Sequence, residues 1–175
     1  MITLVLGGAR SGKSQVAEAI AARAATGAGT GADAGAVTYI PTLVDGGDED
    51  LAARIRVHRA RRPPHWVTIE RAGSLPDALR AAAGTVLVDS LGPWVAAAPG
   101  MAVEAAALCA ALVERAGDTV VVSEEVGMGV HPASASGRAF RDTLGSLNQA
   151  VAAVADEVLL VVAGRTLRLE PGGGR

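Results

Sequence analysis

The chain has 175 residues, 50% of them hydrophobic and only 2% aromatic, so Val, Leu and Ala must fill the core of the single predicted domain. A net charge of −2 argues against a general surface for nucleic acid or for an anionic membrane, and we expect neither as a partner. The single cysteine, Cys109, excludes an intrachain disulfide and a cysteine-based zinc cluster. The sequence shows neither a signal peptide nor a long uninterrupted apolar run, which indicates a cytoplasmic protein.

The predicted elements alternate between apolar strands and helices. In order, they are a strand at 2–6, a helix at 14–25, a strand at 37–42, a helix at 48–62, an extended piece at 67–70, a helix at 74–83, a strand at 85–90, a helix at 100–117, a strand at 119–125, a helix at 136–155 and two strands within 157–170 that turn at Gly164. Residues 26–36 are expected to form a flexible loop, and residues 171–175 a frayed tail. This order predicts one α/β domain over 1–175, with a mostly parallel sheet, helices on both faces and a C-terminal β-hairpin.

The first strand runs directly into a phosphate-binding motif. The residues that satisfy G-x-x-x-x-G-K-[ST] between a strand and a helix are Gly7, Gly8, Ala9, Arg10, Ser11, Gly12, Lys13 and Ser14. Glycines let backbone N–H groups turn toward phosphate oxygens, and the following helix adds the positive end of its dipole. Lys13, the only lysine beside fifteen arginines, is predicted to contact the β- and γ-phosphates, and Ser14 to bind Mg²⁺. The alternative is an ordinary glycine-rich turn. The motif predicts a nucleoside triphosphate site but does not specify the reaction.

Acidic residues end two further predicted strands, and ligands of parallel sheets bind beyond the carboxyl ends of the strands. Asp89 ends the strand at 85–90, where it is predicted to support Mg²⁺ directly or through water; otherwise it is a solvated strand-end residue. Glu124 and Glu125 end the strand at 119–125. They are either a site for a cation or a hydroxyl group, or polar residues at the rim of the sheet.

A basic stretch, RIRVHRARRPPHW at residues 54–66, contains five arginines and two histidines in a mildly acidic chain. Helical spacing places Leu51, Ile55 and His58 on one face, where a histidine is most simply a half-buried packing residue. The arginines at 54, 56 and 59 have an equally simple interpretation, as a solvated face that pairs with the acids at 48–50. By themselves, these residues do not establish a site.

Six segments together resemble one enzyme family. They are GGARSGKS, RIRVHRARRPPHWVTIE, VLVDSLGPW, EVGMGVHP, GRAFRDTLGSLNQ and ADEVLLVVAG, and they extend nearly from end to end of the chain. With them the chain is similar to the bifunctional adenosylcobinamide kinase / adenosylcobinamide-phosphate guanylyltransferases of cobalamin biosynthesis. The resemblance implies a P-loop domain of the RecA class and a homotrimer with sites between subunits. It also implies two reactions: phosphorylation of adenosylcobinamide by ATP or GTP, and transfer of GMP from GTP through a guanylyl-histidine to adenosylcobinamide phosphate.

The resemblance also implies roles within and just after the basic stretch. His58 matches the family's nucleophilic histidine, with His65 as the fallback. Three arginines are expected to stabilise the charge that develops on the pyrophosphate leaving group, namely Arg59, Arg61 and Arg62. Glu70 is expected to orient hydrogen-bond donors of the nucleoside or sugar.

The chain departs from the family pattern at several positions. Val57 stands where some members have a second histidine, which leaves His58 as the helix histidine in register, and His131 stands where the family is more often apolar. Ser90 and Gly92 stand where the family often has Cys and Thr in C-L-T-x-W, and Glu124 stands where it usually has Asn in S-N-E-V-G. These departures leave open the loss of one of the two activities.

Two other functions are alternatives to the bifunctional enzyme that the family resemblance implies. A P-loop kinase with a single activity would use Lys13, Ser14 and Asp89 and would leave His58 without a role. A nucleotide-binding switch would need a loop that senses the γ-phosphate and a partner surface, and the sequence identifies neither.

Overall fold

The structure, a computed structural model, describes residues 1–27, 35–43, 62–69 and 74–172. Its strands are β1 (Ile2–Gly7), β2 (Val37–Pro41), β3 (Val67–Thr68), β4 (Thr85–Asp89), β5 (Thr119–Glu124), β6 (Glu157–Val162) and β7 (Arg165–Leu169). The helices in these ranges are α1 (Lys13–Gly27), α2 (Leu75–Ala81), α3 (Leu91–Ala97), α4 (Ala105–Glu114) and α5 (Ala135–Val154). The predicted helix at 48–62, apart from its last residue, and most of the predicted loop at 26–36 lie outside the described residues.

The described strands form one sheet in the order β3-β2-β4-β5-β1-β6-β7. Every neighbouring pair is parallel except β6 and β7, which pair antiparallel from Val158 opposite Leu169 to Val162 opposite Arg165. This arrangement confirms the predicted α/β fold with its mostly parallel sheet and C-terminal hairpin. Because β1, β5 and β4 are parallel neighbours, their carboxyl ends meet at one edge of the sheet.

Helices cover both faces of the sheet, and each face has its own apolar core. On one face, Leu4 of β1 packs with residues of α2, α3, α4 and α5, among them Leu79 and Leu144. On the other face, Val5 of β1 packs with Ala17 and the rest of the buried side of α1. This double burial explains why the central strands β1, β4 and β5 are nearly continuous apolar runs. None of the helices in the described part of the chain is long and apolar enough to cross a membrane.

Two helices begin directly after a serine that caps them. The Ser74 hydroxyl accepts a hydrogen bond from the backbone N–H of Asp77, at 3.3 Å, ahead of α2. The Ser134 hydroxyl accepts one from the N–H of Gly137, at 3.0 Å, ahead of α5. Such bonds satisfy N–H groups that the first turn leaves without a helical partner.

The structure corrects two predictions between residues 90 and 117. The predicted helix at 100–117 is shorter, because Gly100 adopts a left-handed φ of 59° within a 3₁₀ turn (Pro99–Met101), and α4 begins only at Ala105. The helix α3 was not predicted, because Gly92 and Pro93 are poor helix formers. Pro93 nevertheless lies in the first turn of α3, where a missing N–H removes no helical hydrogen bond.

Candidate nucleotide site

The predicted phosphate-binding motif joins the carboxyl end of β1 to the first turn of α1, as the sequence indicated. All eight predicted residues lie in this connection, from Gly7 to Ser14. The loop is closed by a bond from the Ser11 N–H to the Gly8 carbonyl, at 3.3 Å. The Ser11 hydroxyl in turn accepts a bond from the N–H of Lys13, also at 3.3 Å. The connection therefore has the strand–loop–helix geometry that binds phosphate groups.

The turn of the C-terminal hairpin contacts this loop and holds its backbone. The N–H of Gly164, between β6 and β7, donates to the Ser11 carbonyl at 2.7 Å. Gly12 has a left-handed φ of 94°, and a Cβ there would come within 3.3 Å of the Gly164 Cα. Glycine is therefore needed at position 12 both for its backbone conformation and for the close approach of the hairpin. The sequence showed the hairpin but not this contact.

Lys13 points back across the loop toward the tip of β5. Its Nζ donates to the Gly8 carbonyl at 3.3 Å and lies 3.6 Å from Oε1 of Glu124. The Lys13 side chain is only 13% exposed, so its charge is directed into the mouth of the loop. Of the two interpretations of Glu124 offered by the sequence, the contact with Lys13 excludes that of an uninvolved rim residue.

Ser14, in the first turn of α1, and Asp89, at the end of β4, meet at the same edge of the sheet. The Ser14 hydroxyl donates to Oδ1 of Asp89 at 3.4 Å, and the hydroxyl of Tyr39 donates to Oδ2 at 2.9 Å. Burial, reinforced by the Asp89 charge, raises the pKa of Tyr39 well above its usual range and keeps it a neutral donor. The site thus offers a hydroxyl and a carboxylate next to the phosphate loop. Oxygen donors of this kind, completed by phosphate and water, fit Mg²⁺.

Arg62 brings the end of the basic stretch to this cluster. Its guanidinium carbon lies 3.4 Å from the centroid of the Tyr39 ring, and its Nη1 donates to the Thr68 hydroxyl at 3.4 Å. The Nε of Arg62 is buried and has no hydrogen-bond partner among the described residues. Tyr39 therefore contacts both Arg62 and Asp89.

Asn148 of α5 holds the end of β5 in place, a role that the sequence did not reveal. Its Oδ1 accepts a bond from the Ser123 hydroxyl at 2.6 Å, and its Nδ2 donates to the Glu124 carbonyl at 3.1 Å. The side chain is nearly buried, at 7% exposure. The one signal in the sequence was its rarity, because Asn148 is the only asparagine in the chain.

Of the other predicted site residues, only His65 lies in the part of the chain that the structure describes. His58, Arg59, Arg61 and Glu70 lie outside the described residues. His65 is exposed in the turn before Trp66, which is itself 8% exposed and packs in the core beneath α1.

His131, in the segment between β5 and α5, has a local partner. Nδ1 of His131 lies 2.8 Å from Nη1 of Arg141, and Arg141 also pairs with Asp142. These contacts give Arg141 partners on both sides and place none of the phosphate-loop residues against His131 within the described part of the chain.

Comparisons with known proteins agree with these motifs. A family model described as cobinamide kinase / cobinamide phosphate guanyltransferase matches residues 3–169. The bifunctional adenosylcobalamin biosynthesis protein CobP of Pseudomonas aeruginosa is 38% identical over 97% of this chain and 98% of its own. The bifunctional adenosylcobalamin biosynthesis protein CobU of Escherichia coli is 36% identical over 97% of this chain and all of its own.

Among solved structures, the flagellar accessory protein FlaH of Methanocaldococcus jannaschii shares the fold. Its TM-score is 0.51 at 12% identity, over 94% of this chain and 74% of that one. At this identity the likeness concerns the fold alone. The family match and the two curated relatives decide the classification: this chain belongs to the cobinamide kinase / cobinamide phosphate guanyltransferase family.

Proposed function

We propose that this protein phosphorylates adenosylcobinamide with ATP or GTP, and then transfers GMP from GTP to the adenosylcobinamide phosphate, which gives adenosyl-GDP-cobinamide. Family membership supports the pair of reactions. The meeting of Lys13, Ser14 and Asp89 at one sheet edge supports the use of a nucleoside triphosphate. The observation that carries the proposal is the contact of Arg62 with Tyr39, because it joins the basic stretch to this edge.

In the kinase reaction, the aminopropanol hydroxyl of adenosylcobinamide attacks the γ-phosphorus. A new O–P bond forms, the bond to the β,γ-bridging oxygen breaks, the hydroxyl proton passes to water, and the nucleoside diphosphate leaves. Lys13 and the N–H groups of residues 7–14 hold the phosphates in line for this attack. Ser14 and Asp89 would hold Mg²⁺, which supplies positive charge against the phosphate oxygens when it is bound.

In the guanylyl transfer, a neutral ring nitrogen of His58 attacks the α-phosphorus of GTP. An N–P bond forms and the bond to pyrophosphate breaks, so the enzyme carries GMP on His58. A phosphate oxygen of adenosylcobinamide phosphate then attacks the same phosphorus and releases His58. Arg59, Arg61 and Arg62 stabilise the departing pyrophosphate, and Glu70 orients the nucleoside or sugar. The described contact of Arg62 with Tyr39 supports placing this charge beside the phosphate loop.

The proposal also covers the oligomeric state of the protein and its location in the cell. We infer a cytoplasmic homotrimer of a single-domain chain, with sites between subunits, on the strength of family resemblance. Sedimentation equilibrium of the purified protein tests the assembly. A mass three times the 17.5 kDa of the chain supports the trimer, and the mass of a monomer or dimer contradicts it.

The decisive experiment labels the enzyme with α-³²P GTP and Mg²⁺, in the wild type, in His58→Ala and in the matched control His65→Ala. After denaturation, protein-bound label is counted and its acid lability is measured. We expect acid-labile, base-stable label on the wild type and on His65→Ala, and none on His58→Ala. A parallel reaction with γ-³²P ATP and adenosylcobinamide measures the kinase activity separately.

Each other outcome has a definite meaning. Label on His58→Ala but not on His65→Ala moves the nucleophile to His65. Absence of α-label from all three proteins, with the kinase activity intact, contradicts the guanylyl transfer and leaves a kinase of single activity. Nucleotide binding without either reaction contradicts both steps and favours a nucleotide-binding switch.

A further inference from the structure

The carboxylate of Glu124 is held by three groups at the edge of the phosphate loop. Its Oε1 accepts a hydrogen bond from the Ser90 hydroxyl at 2.7 Å and lies 3.6 Å from Nζ of Lys13. Its Oε2 accepts a bond from the N–H of Gly92 at 2.9 Å. The side chain is 25% exposed, so its pairing with Lys13 is only partly screened by water. Glu124 is therefore the resident counter-ion of Lys13.

The backbone beneath this carboxylate is also held. Asn148 donates from Nδ2 to the Glu124 carbonyl at 3.1 Å, and its Oδ1 accepts from the preceding Ser123. The backbone of Glu124 is thus held by α5, and its side chain by Ser90 and Gly92 at the start of α3. This anchoring directs the charge at Lys13 instead of leaving it to sample solvent.

Gly92 is the residue that makes room for this carboxylate. A Cβ at position 92 would lie 2.1 Å from Oε2 and 2.9 Å from Cδ of Glu124, and the three nearest atoms to it all belong to Glu124. A side chain at position 92 and a carboxylate in this position therefore exclude one another. Ser90 and Gly92, two residues apart in the chain, thus both donate hydrogen bonds to Glu124.

A nucleotide phosphate and Glu124 compete for the same ammonium group. A phosphate that reaches Lys13 brings at least one full negative charge to a site where a carboxylate already lies within 4 Å of Nζ. Binding must then break or weaken the Lys13–Glu124 pair, and the binding free energy is reduced by the strength of that pair. No comparable competition acts on a ligand that lacks phosphate.

We propose that Glu124 is a positioning residue that holds Lys13 at the mouth of the loop until a nucleotide phosphate replaces it, and that it does so only because residue 92 is glycine. The inference rests on the nucleotide-binding role proposed for Lys13. Its consequence is a site whose affinity for nucleoside triphosphates is set below what the loop and Lys13 alone would provide.

The test measures the affinity of a non-hydrolysable ATP analogue with Mg²⁺ by calorimetry, in the wild type, Glu124→Gln, Lys13→Met and the double variant. Glutamine keeps the shape of the side chain and removes its charge. We expect Glu124→Gln to bind the analogue about three- to tenfold more tightly, as the loss of a partly screened ion pair allows. In the Lys13→Met background the same change should have little effect, because the competition needs the ammonium group. Adenosine serves as the ligand without phosphate, and its affinity should not change.

A second cycle tests the role of Gly92. Gly92→Ala should displace the carboxylate from its bond with the backbone N–H and reproduce the tighter binding. Added to Glu124→Ala, the same change should have no further effect. Gly145→Ala is the matched control, since it adds a methyl group to helix α5 where no atom lies within 4 Å. Circular dichroism is the control that tests whether each variant is folded.

The outcomes distinguish a failure of the role proposed for Glu124 from a failure of the nucleotide site itself. If Glu124→Gln binds the analogue no more tightly than the wild type, the positioning role is wrong. If the tightening persists in Lys13→Met, Glu124 repels the phosphate directly and does not act through Lys13, which also overturns the inference. If Lys13→Met does not weaken binding at all, the nucleotide site itself is wrongly assigned.

Discussion

The guanidinium group of Arg62 lies over the ring of Tyr39, 3.4 Å from its centroid, and the hydroxyl of the same ring donates to Asp89 at 2.9 Å. Asp89 in turn accepts a bond from the Ser14 hydroxyl. A continuous path of contacts therefore runs from the end of the basic stretch to the first turn of α1. The two proposed reactions use these two ends, so each is expected to respond to changes at the residues between them.

Removing the Arg62 side chain should impair guanylyl transfer more than folding. We expect Arg62→Ala to lower the rate of self-guanylylation about tenfold to a hundredfold, because a charged donor near the leaving group is lost. Arg62→Lys should recover only part of this rate, since lysine lacks the planar group that stacks on Tyr39. The measurement is the initial rate of α-label incorporation. Arg80→Ala is the control, because Arg80 pairs with Glu114 on the surface. Equal rates in Arg62→Ala and Arg80→Ala would contradict the role of Arg62.

The single tyrosine allows its ionisation to be read directly from absorbance. Because burial and Asp89 raise the pKa of Tyr39, the folded protein should show no tyrosinate absorbance as the pH passes about 10, where an unfolded tyrosine ionises. The unfolded state then loses a proton that the folded state keeps, so the free energy of unfolding should fall as the pH rises above about 10. Tyr39→Phe should lack this component of the slope. Tyrosinate absorbance that appears at the usual pH in folded protein would refute the burial argument.

Substitutions of Ser14 and Asp89 should change the Mg²⁺ requirement of the kinase reaction. We expect Asp89→Asn and Ser14→Ala each to raise the Mg²⁺ concentration that gives half-maximal rate, and to lower the maximal rate about a hundredfold or more. The matched control is Asp118→Asn, because Asp118 precedes β5 at the opposite end of the sheet and pairs with the N-terminus. Chelation of Mg²⁺ should abolish the reaction reversibly. Unchanged Mg²⁺ dependence in both variants would remove Ser14 and Asp89 from the predicted site.

Two glycine substitutions can distinguish the effect of the hairpin contact on ATP binding from the loss of stability that backbone strain causes. Gly164 has a left-handed φ of 72°, so Gly164→Ala should reduce the free energy of unfolding by about 1 kcal/mol. Gly84 has a φ of 66° and nothing near its Cβ position, so Gly84→Ala carries similar strain away from the site. We expect only Gly164→Ala to weaken ATP binding as well, about threefold or more, because relief of its backbone strain would move the N–H that donates to the Ser11 carbonyl. Equal ATP affinities in the two variants would show that the hairpin does not support the loop.

The elements that the sequence predicted well are those whose causes are local. The phosphate loop is one continuous segment between a strand and a helix, and its residue types are required by the turn itself. The ends of β4 and β5 follow from apolar runs that stop at Asp89 and Glu124. The helix α3 was missed because Gly92 and Pro93 disfavour a helix in isolation, whereas in the fold its Leu91, Trp94 and Val95 are buried against the sheet.

The sequence by itself determined the fold class, the phosphate loop, the acidic strand ends and the family, because each depends on short patterns or on residue identity along the chain. Only the tertiary structure decided which residues share the site: Tyr39 with Arg62 and Asp89, Gly164 with Ser11, and Gly92 with Glu124 and Lys13. These partners come from separate strands, helices and turns. They meet because parallel pairing of β4, β5 and β1 brings their carboxyl ends to one edge, a long-range arrangement that no local pattern specifies.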